Sequence, residues 1–173
     1  ASNTAWDGFP RLLTFHSLSK RSGLPGLRSG MVAGAAELIA RLRAFRNVAG
    51  PTVPGPLLAA SAAAWRDEAH VAANRATYAE RMALAQAILG NRMTRPDGGF
   101  FLWLKVGDGE DFALRLWREQ GIKVLPGAYM GREMVPGKNQ SNPGFGYVRV
   151  ALVSDLVTIK AALERIAELL GGT

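Results

Sequence analysis

The segment that most restricts the fold is GPTVPGP, which runs from Gly50 to Pro56 and holds three prolines and two glycines. Proline lacks the backbone donor that a helix needs and also restricts the residue before it, so no helix continues through this segment. It is therefore a connection and the best candidate for a hinge between subdomains. We expect the chain to divide there, into residues 1–50 and residues 51–173.

Short apolar runs alternate with helical patterns before and after this connection, which predicts an α/β protein. Upstream, RLLTF and GMVAG are typical of buried strands, and residues 35–48 carry apolar side chains at helical spacing. Downstream, an alanine-rich helical region reaches about Leu89, with a possible break near Trp65.

The last part of the chain predicts three strands and two helices. The strands are FFLWLKV, IKVL and YVRVALV, and the first helix, DFALRLWREQ, ends at Gly121 as its C-cap. Ser154 is predicted to N-cap the final helix. Residues 126–146 form a long loop rich in glycine, proline and asparagine, and loops of this length in a compact domain are usually functional or mobile.

Composition excludes several classes of protein. The 173 residues include no cysteine and only two histidines, so disulfides and a cysteine or histidine metal site are not expected. No apolar run approaches a membrane span, and the first ten residues lack the pattern of a signal peptide, so a cytoplasmic protein is the default. The net charge of +7 comes from scattered arginines without a basic run, which does not favour nucleic-acid binding.

The motif with a chemical meaning is FHSLSKRSGLPGLRSGMVAG, from Phe15 to Gly34. A lysine at the end of a buried strand is partly neutral and can attack a carbonyl to form a Schiff base, and Lys20 has this position. Ser17 offers a hydroxyl, Arg28 offers a planar fork suited to phosphate, and glycines let backbone approach a ligand. A lysine beside phosphate ligands suggests pyridoxal phosphate.

Two simpler interpretations of this motif remain open from the residues alone. A surface turn with a solvated lysine is the commoner explanation of any single glycine-rich turn. A non-covalent phosphate loop is the other, although GLPGLRSG lacks the Walker pattern of glycine, lysine and serine or threonine.

Ser17, Lys20 and Arg28 resemble the signature of the class I/II aminotransferases of PLP fold type I in residue type and spacing. The resemblance implies that Lys20 is the catalytic residue, which holds the cofactor as a Schiff base and then moves a proton between substrate and cofactor. It also implies that Ser17 and Arg28 bind the cofactor phosphate, with Ser19 as a further cofactor-binding candidate.

Several further segments look like the succinyldiaminopimelate aminotransferase branch of that family. They are AAWRDEAHV, GGFFLWL, VLPGAYMG and YVRVALV. Gly23 stands where this branch leads us to expect asparagine, and Met31 where we expect phenylalanine. These two departures bear on the substrate and not on the catalytic roles.

Arg149 and Phe100 are the candidate substrate-binding residues. Arg149 lies in an apolar strand, where a buried arginine needs an anion, and a structural ion pair with an aspartate or glutamate is the simpler explanation. The family resemblance instead implies that Arg149 binds the substrate α-carboxylate and that Phe100, in the GGFF stretch, lies near the substrate. No residue is expected to bind a metal.

The resemblance also implies cofactor ligands that come before the lysine strand: an acidic residue, a tyrosine and an aromatic ring. Only nineteen residues precede Lys20, and Trp6 and Asp7 are too close to the strand for these roles. We therefore expect the C-terminal half of an aminotransferase, with residues 1–50 ending the large cofactor domain and residues 51–173 forming a connecting helix and the small domain. The implied partners are amino-acid and keto-acid substrates, the missing half and a second copy in a homodimer.

The main rival from another class is an aminotransferase-like sensor domain of a transcription regulator, which would bind the cofactor without turnover. The two proposals differ upstream of Ala1, where either cofactor ligands or a DNA-binding domain would be found.

Overall fold

The computed structural model describes residues 11–50 and 52–171 of the chain. They form an α/β structure that divides into two compact units, with the boundary between Asn74 and Arg75 inside one helix. Among these residues no helix is long and apolar enough to cross a membrane. The expected assignment of residues 1–50 and 51–173 to two domains stays a prediction.

The first unit is built on an antiparallel hairpin. Strand β1 (Leu13–Ser17) leads into a four-residue helix α1 (Leu18–Arg21), and strand β2 (Gly30–Gly34) returns with Ser17 opposite Gly30. Helices α2 (Ala36–Ala49) and α3 (Gly55–Arg66) follow. Helix α3 begins inside the predicted connection of Gly50–Pro56, because proline is tolerated in the first turn of a helix. The predicted helix of residues 35–48 and the predicted break near Trp65 are both confirmed.

The hairpin strands differ from the sequence prediction in two respects. Strand β1 extends to Ser17, past the end of the apolar run at Phe15, and four of its five residues are exposed. Among the described residues the sheet of β1 and β2 has only these two strands. The apolar composition therefore predicted a burial that the described part of the first unit does not provide, and Phe15 is 69% exposed.

The second unit packs helices on one face of a three-stranded antiparallel sheet. Helix α4 (Ala69–Leu89) crosses from the first unit, and strand β3 (Phe101–Lys105), helix α5 (Gly109–Gln120), strand β4 (Leu125–Pro126), strand β5 (Tyr147–Ala151) and helix α6 (Leu156–Gly171) follow in sequence. The strand order is β3-β5-β4. Strand β4 keeps only the end of the predicted IKVL strand.

One apolar core holds the second unit together. It includes the fully buried side chains of Leu104, Leu116, Val148 and Ile166, which come from two strands and two helices. Alternation along β5 puts Val148 on the core face and Tyr147 and Arg149 on the other.

The helix ends show which polar residues fix the elements. Gly121 ends α5 in the left-handed conformation, with φ of 67°, as predicted. The prediction that Ser154 caps α6 is wrong, because Asp155 does so: its carboxylate accepts from the Thr158 backbone N–H at 2.9 Å and from the Thr158 hydroxyl at 2.7 Å. Aspartate and serine are comparable N-caps, so two adjacent candidates could not be distinguished by residue type.

The long loop between β4 and β5 is pinned by the buried side chain of Asn142. Its amide nitrogen donates to the Ala128 carbonyl at 2.9 Å, and its amide oxygen accepts from the Gly144 backbone N–H at 2.9 Å. Gly127 and Gly144 meet so closely that a Cβ on either would overlap the backbone of the other. The loop therefore packs on itself and contains two short 3₁₀ turns.

Candidate active site

Lys20 lies on the short helix α1, directly after strand β1, and its side chain is exposed. The expected position at the end of a buried strand is therefore wrong for the described residues, because four of the five residues of β1 are exposed as well. Ser17 is the N-cap of this helix, since its hydroxyl oxygen accepts from the Ser19 backbone N–H at 3.1 Å. The hydroxyl proton of Ser17 stays available to a ligand, because this contact uses only an oxygen lone pair. Ser17, Ser19 and Lys20 thus lie on one capped turn at the end of the strand.

Arg28 closes the same connection in an unusual backbone conformation. Its φ is 48°, and it is the single non-glycine residue with positive φ in the described part of the chain. An L-residue in this region costs about 1–2 kcal/mol, and such outliers cluster at ligand clamps. One guanidinium nitrogen donates to the Pro25 carbonyl at 3.2 Å, which leaves most of the fork's donors for a ligand.

Backbone hydrogen bonds bring the two ends of this connection together. The Leu18 N–H donates to the Ser29 carbonyl at 3.2 Å, and the Leu24 N–H donates to the Leu18 carbonyl at 3.2 Å. Leu18 itself is fully buried and anchors the turn. The four cofactor candidates of the sequence analysis therefore belong to one closed connection, between Ser17 and Gly30.

The donor set fits pyridoxal phosphate in its chemistry. A hydroxyl and a guanidinium suit the phosphate, and an amine on the same connection suits the aldehyde. The Arg28 guanidinium forms no ion pair with a carboxylate of the described residues. Trp6 and Asp7, which the sequence places too close to the lysine strand for the remaining cofactor contacts, lie outside the described residues.

A polar cluster that the sequence did not predict lies beside the lysine helix. The Arg21 guanidinium donates to the Ala64 carbonyl at 3.0 Å, pairs with the Glu68 carboxylate and lies 4.9 Å from the centroid of the Trp65 ring. His70 joins the same cluster through its contact with Ser22. The segment AWRDEAH carries these residue types, but only the folded chain shows which of them meet Arg21.

His70 has hydrogen-bond partners on both ring nitrogens. Nε2 lies 2.8 Å from the Ser22 hydroxyl, and Nδ1 lies 2.9 Å from the Asp67 carboxylate. The hydrogen bond from His70, followed by that from the Ala69 N–H, lowers the pKa of Asp67 below its ordinary value. His70 therefore connects Ser22, just past the end of α1, to Asp67.

The two substrate candidates belong to the second unit. The Arg149 guanidinium lies 4.5 Å from the centroid of the Phe101 ring, and no carboxylate of the described residues lies within ion-pair distance of it. Within the described ranges, Arg149 therefore lacks the structural ion pair that was the simpler explanation. Phe100 stacks on Tyr78 at 5.1 Å and contacts Phe101 at 4.3 Å, so its ring is part of an aromatic group.

The loop of the second unit borders a cavity of about 370 Å³ with an acidic lining. Asp108, Glu110, Asp111 and Glu133 contribute to its walls. The Tyr129 hydroxyl donates to Glu110 at 2.8 Å, and this hydrogen bond raises the pKa of Tyr129 above its ordinary value. Within the described ranges no cluster of three or more acidic or histidine side chains has the geometry of a metal site.

Comparison with known proteins identifies the family. The family model described as aminotransferase class I and II matches residues 3–166. The chain belongs to the class I and II aminotransferases. A transaminase of Streptomyces rimosus, the 4-dedimethylamino-4-oxo-anhydrotetracycline transaminase OxyQ, is 39% identical over 158 residues, which cover 90% of this chain and 41% of OxyQ.

Solved aminotransferase structures share the fold. The crystal structure of an aminotransferase from Neisseria meningitidis has a TM-score of 0.81 and 46% identity, and covers 91% of this chain and 40% of that protein. A probable N-succinyldiaminopimelate aminotransferase from Thermus thermophilus has a TM-score of 0.72 and 28% identity, and covers 92% of this chain and 42% of its own.

These comparisons confirm the family and the partial fold predicted from the lysine motif. The chain spans about two-fifths of the length of the aminotransferases that it matches. The proteins that it resembles include a probable N-succinyldiaminopimelate aminotransferase. They also include a transaminase whose name gives a tetracycline intermediate as its substrate.

Proposed function

We propose that the full-length protein carrying this sequence transfers an amino group between glutamate and a keto-acid, and that Lys20 forms the covalent link to pyridoxal phosphate. The observation that carries the proposal is the closed connection between β1 and β2. It presents Lys20 together with the hydroxyl of Ser17 and the strained, guanidinium-bearing Arg28. Family membership supports the reaction class, because aminotransferases of this family generally use this cofactor.

Each residue of the connection has a separate task in this proposal. Arg28 and Ser17 bind the phosphate, Arg28 through charge and its planar fork, Ser17 through its hydroxyl proton. Ser19, on the same capped turn, is a further phosphate-side donor. Lys20 would supply the amine that holds the cofactor's aldehyde group, and it would carry a proton to and from the substrate α-carbon as a general acid and base. The bound cofactor supplies an electron-withdrawing ring that stabilises negative charge at the substrate α-carbon.

Arg149 and Phe100 form the substrate side of the proposal. Arg149 is half-buried and has an aromatic neighbour, but among the described residues it has no carboxylate partner, so its charge suits an incoming α-carboxylate. Phe100 is held by Tyr78 and Phe101, which gives a rigid apolar surface for the substrate side chain.

We further propose a keto-acid of the succinyldiaminopimelate type as the amino acceptor, with a role in lysine biosynthesis. The support is the resemblance of several segments to that branch and the likeness to the Thermus thermophilus structure. The likeness to OxyQ makes a cyclic ketone the competing acceptor. A homodimer in the cytoplasm is part of the same proposal.

Reduction of the cofactor linkage tests the central step. The full-length protein is incubated with pyridoxal phosphate, reduced with borohydride, digested and mapped by mass spectrometry. We expect the label on Lys20, with loss of labelling in Lys20→Ala and full labelling in the matched variant Lys105→Ala. A label on Lys105 or Lys123 in place of Lys20 would overturn the assignment.

A second measurement tests the substrate class. The full-length protein, loaded with cofactor, is given glutamate and a panel of acceptors, and 2-oxoglutarate is measured. Turnover highest with the succinylated dicarboxylic keto-acid supports the proposed branch. Turnover only with a cyclic ketone contradicts that branch and leaves the transaminase activity standing.

A further inference from the structure

The lysine helix α1 is too short to hold its own orientation. It has four residues, Leu18–Arg21, and isolated helices of this length are not stable in water. The direction of Lys20 therefore depends on the tertiary contacts of its neighbours. The structure shows such contacts on each side of Lys20, all within the first unit.

Arg21 supplies the contact on one side. Its side chain is only 9% exposed, and its guanidinium meets a carbonyl, a carboxylate and an aromatic ring, those of Ala64, Glu68 and Trp65. The planar fork satisfies two acceptors at fixed angles while it contacts the ring, which a lysine cannot reproduce. Since Arg21 follows Lys20 directly, these contacts of Arg21 also fix the backbone at Lys20.

Two further contacts connect the junction between helices α3 and α4 to the residues on either side of Lys20. The His16 ring lies 5.9 Å from the Trp65 ring, at the end of strand β1. His70 contacts the Ser22 hydroxyl at 2.8 Å, just past the end of α1, and is itself held by Asp67. The junction of α3 and α4 thus contacts the chain before Lys20 and after it.

We propose that Arg21, seated on Trp65 and Glu68, and His70, bonded to Ser22, are positioning residues that orient Lys20 toward the phosphate ligands Ser17 and Arg28. This inference rests on the proposed function, because it concerns the same cofactor site. These four residues, Arg21, Trp65, Glu68 and His70, are named the junction clamp.

Labelling with two different aldehydes distinguishes correct positioning of the Lys20 amine from its mere accessibility. Pyridoxal phosphate needs the lysine and the phosphate ligands in register, whereas formaldehyde needs only an accessible amine. The full-length protein is labelled with each aldehyde under cyanoborohydride, which reduces the imine to a stable secondary amine. Mass spectrometry then gives the labelling of Lys20 relative to Lys105 in the same molecule.

In Arg21→Ala we expect the Lys20 labelling by pyridoxal phosphate to fall on the order of 10-fold or more, while formaldehyde labelling changes little. Arg21→Lys should recover part of the loss, because it restores the charge and one hydrogen bond. The matched control is Arg115→Ala, which removes an exposed Arg–Glu pair of the second unit and should leave both ratios unchanged.

The gentler variants Glu68→Gln and Ser22→Ala keep the test decisive if Arg21→Ala loses its cooperative melting transition. Folded variants that all keep the wild-type ratio, or that lose labelling by both aldehydes equally, would overturn the positioning role. A wild-type protein that shows no preference of pyridoxal phosphate for Lys20 would instead overturn the proposed function, and this inference with it.

Discussion

The guanidinium carbon of Arg149 lies 4.5 Å from the centroid of the Phe101 ring, on the face of the sheet opposite the core. A cation over an aromatic face gains about 0.5–1 kcal/mol at an exposed site, which holds the side chain in place without neutralising its charge. This arrangement leaves the guanidinium competent to bind an anion.

Under the proposed function, Arg149→Ala in the full-length protein should raise the amino-acid KM, because it removes the proposed charged contact with the substrate α-carboxylate. Loss of such a contact in a closed site costs about 2–5 kcal/mol, which corresponds to a change of 30-fold or more in kcat/KM. Steady-state kinetics with glutamate measure it, and Arg115→Ala is the control with an exposed arginine. An unchanged KM together with loss of cofactor would contradict the assignment.

Two substitutions of Arg28 should distinguish its effect on cofactor affinity from the effect of its backbone strain on stability. Arg28→Ala and Arg28→Gly both remove the guanidinium and should weaken retention of pyridoxal phosphate to a similar extent. They should differ in stability, because glycine adopts the φ of 48° without the steric cost of a Cβ. We expect Arg28→Gly to be more stable than Arg28→Ala by about 1 kcal/mol in denaturant unfolding. Equal stability of the two would show that this backbone conformation carries no strain.

The ends of helices and the position of the lysine connection could be predicted from the sequence, because single residue types determine such local structures. Gly121 ends α5 because glycine adopts the left-handed conformation. Helix α2 ends at Ala49, directly before the proline-rich segment in which the sequence predicted that no helix continues. Lys20, Ser17 and Arg28 were predictable as a group because their spacing lies within one connection. Element type therefore followed from local chemistry.

The junction clamp was not predictable, because its contacts join residues far apart in the chain. Arg21 meets Ala64 and Glu68 across 43 and 47 residues, and neither partner has a pattern that points to Arg21. The exposure of the β1 residues was also not predictable, because an apolar run favours burial but does not show which residues cover it, and the described part of the first unit leaves Phe15 exposed. Both depend on tertiary structure.

The N-cap of α6 gives a pH-dependent prediction. Hydrogen bonds from the Thr158 N–H and hydroxyl lower the pKa of Asp155, so the folded state favours the carboxylate. Its stabilising effect is complete above the ordinary aspartate pKa of about 3.9 and is lost as the pH falls through the lowered value. Asp155→Ala should lower Tm at neutral pH, and this deficit should shrink as the pH falls through that window.

Two variants test this cap further by thermal melting. Asp155→Asn should keep much of the stability at neutral pH, since asparagine also caps helices, and should remove this contribution to the acid dependence. Ser154→Ala, at the position that the sequence pattern favoured, should leave Tm unchanged. A larger loss in Ser154→Ala than in Asp155→Ala would reverse the assignment of the cap.

The close approach of the Gly127 and Gly144 backbones predicts that a side chain at either position destabilises the loop of the second unit. A Cβ on Gly127 would overlap the Gly144 carbonyl oxygen and lie 2.8 Å from the Trp103 ring. Gly127→Ala should destabilise the protein by about 1–3 kcal/mol, as overpacked sites do. Gly98→Ala is the control, because a Cβ there meets no atom within 4 Å. Equal unfolding free energies of the two variants would contradict the close approach.

The last prediction concerns this chain by itself. It spans 41% of the length of OxyQ and 40% of the Neisseria meningitidis enzyme, and the family resemblance implies that an acidic residue, a tyrosine and an aromatic ring come from segments before the lysine strand. Without an acidic partner the ring nitrogen is a poor electron sink, and without a stacked ring the cofactor is free to tilt. The isolated chain should therefore produce no keto-acid from glutamate with added pyridoxal phosphate, although Lys20 is present. The same assay on the full-length protein is the positive control, and comparable turnover by the two would show that these 173 residues supply every ligand that the reaction needs.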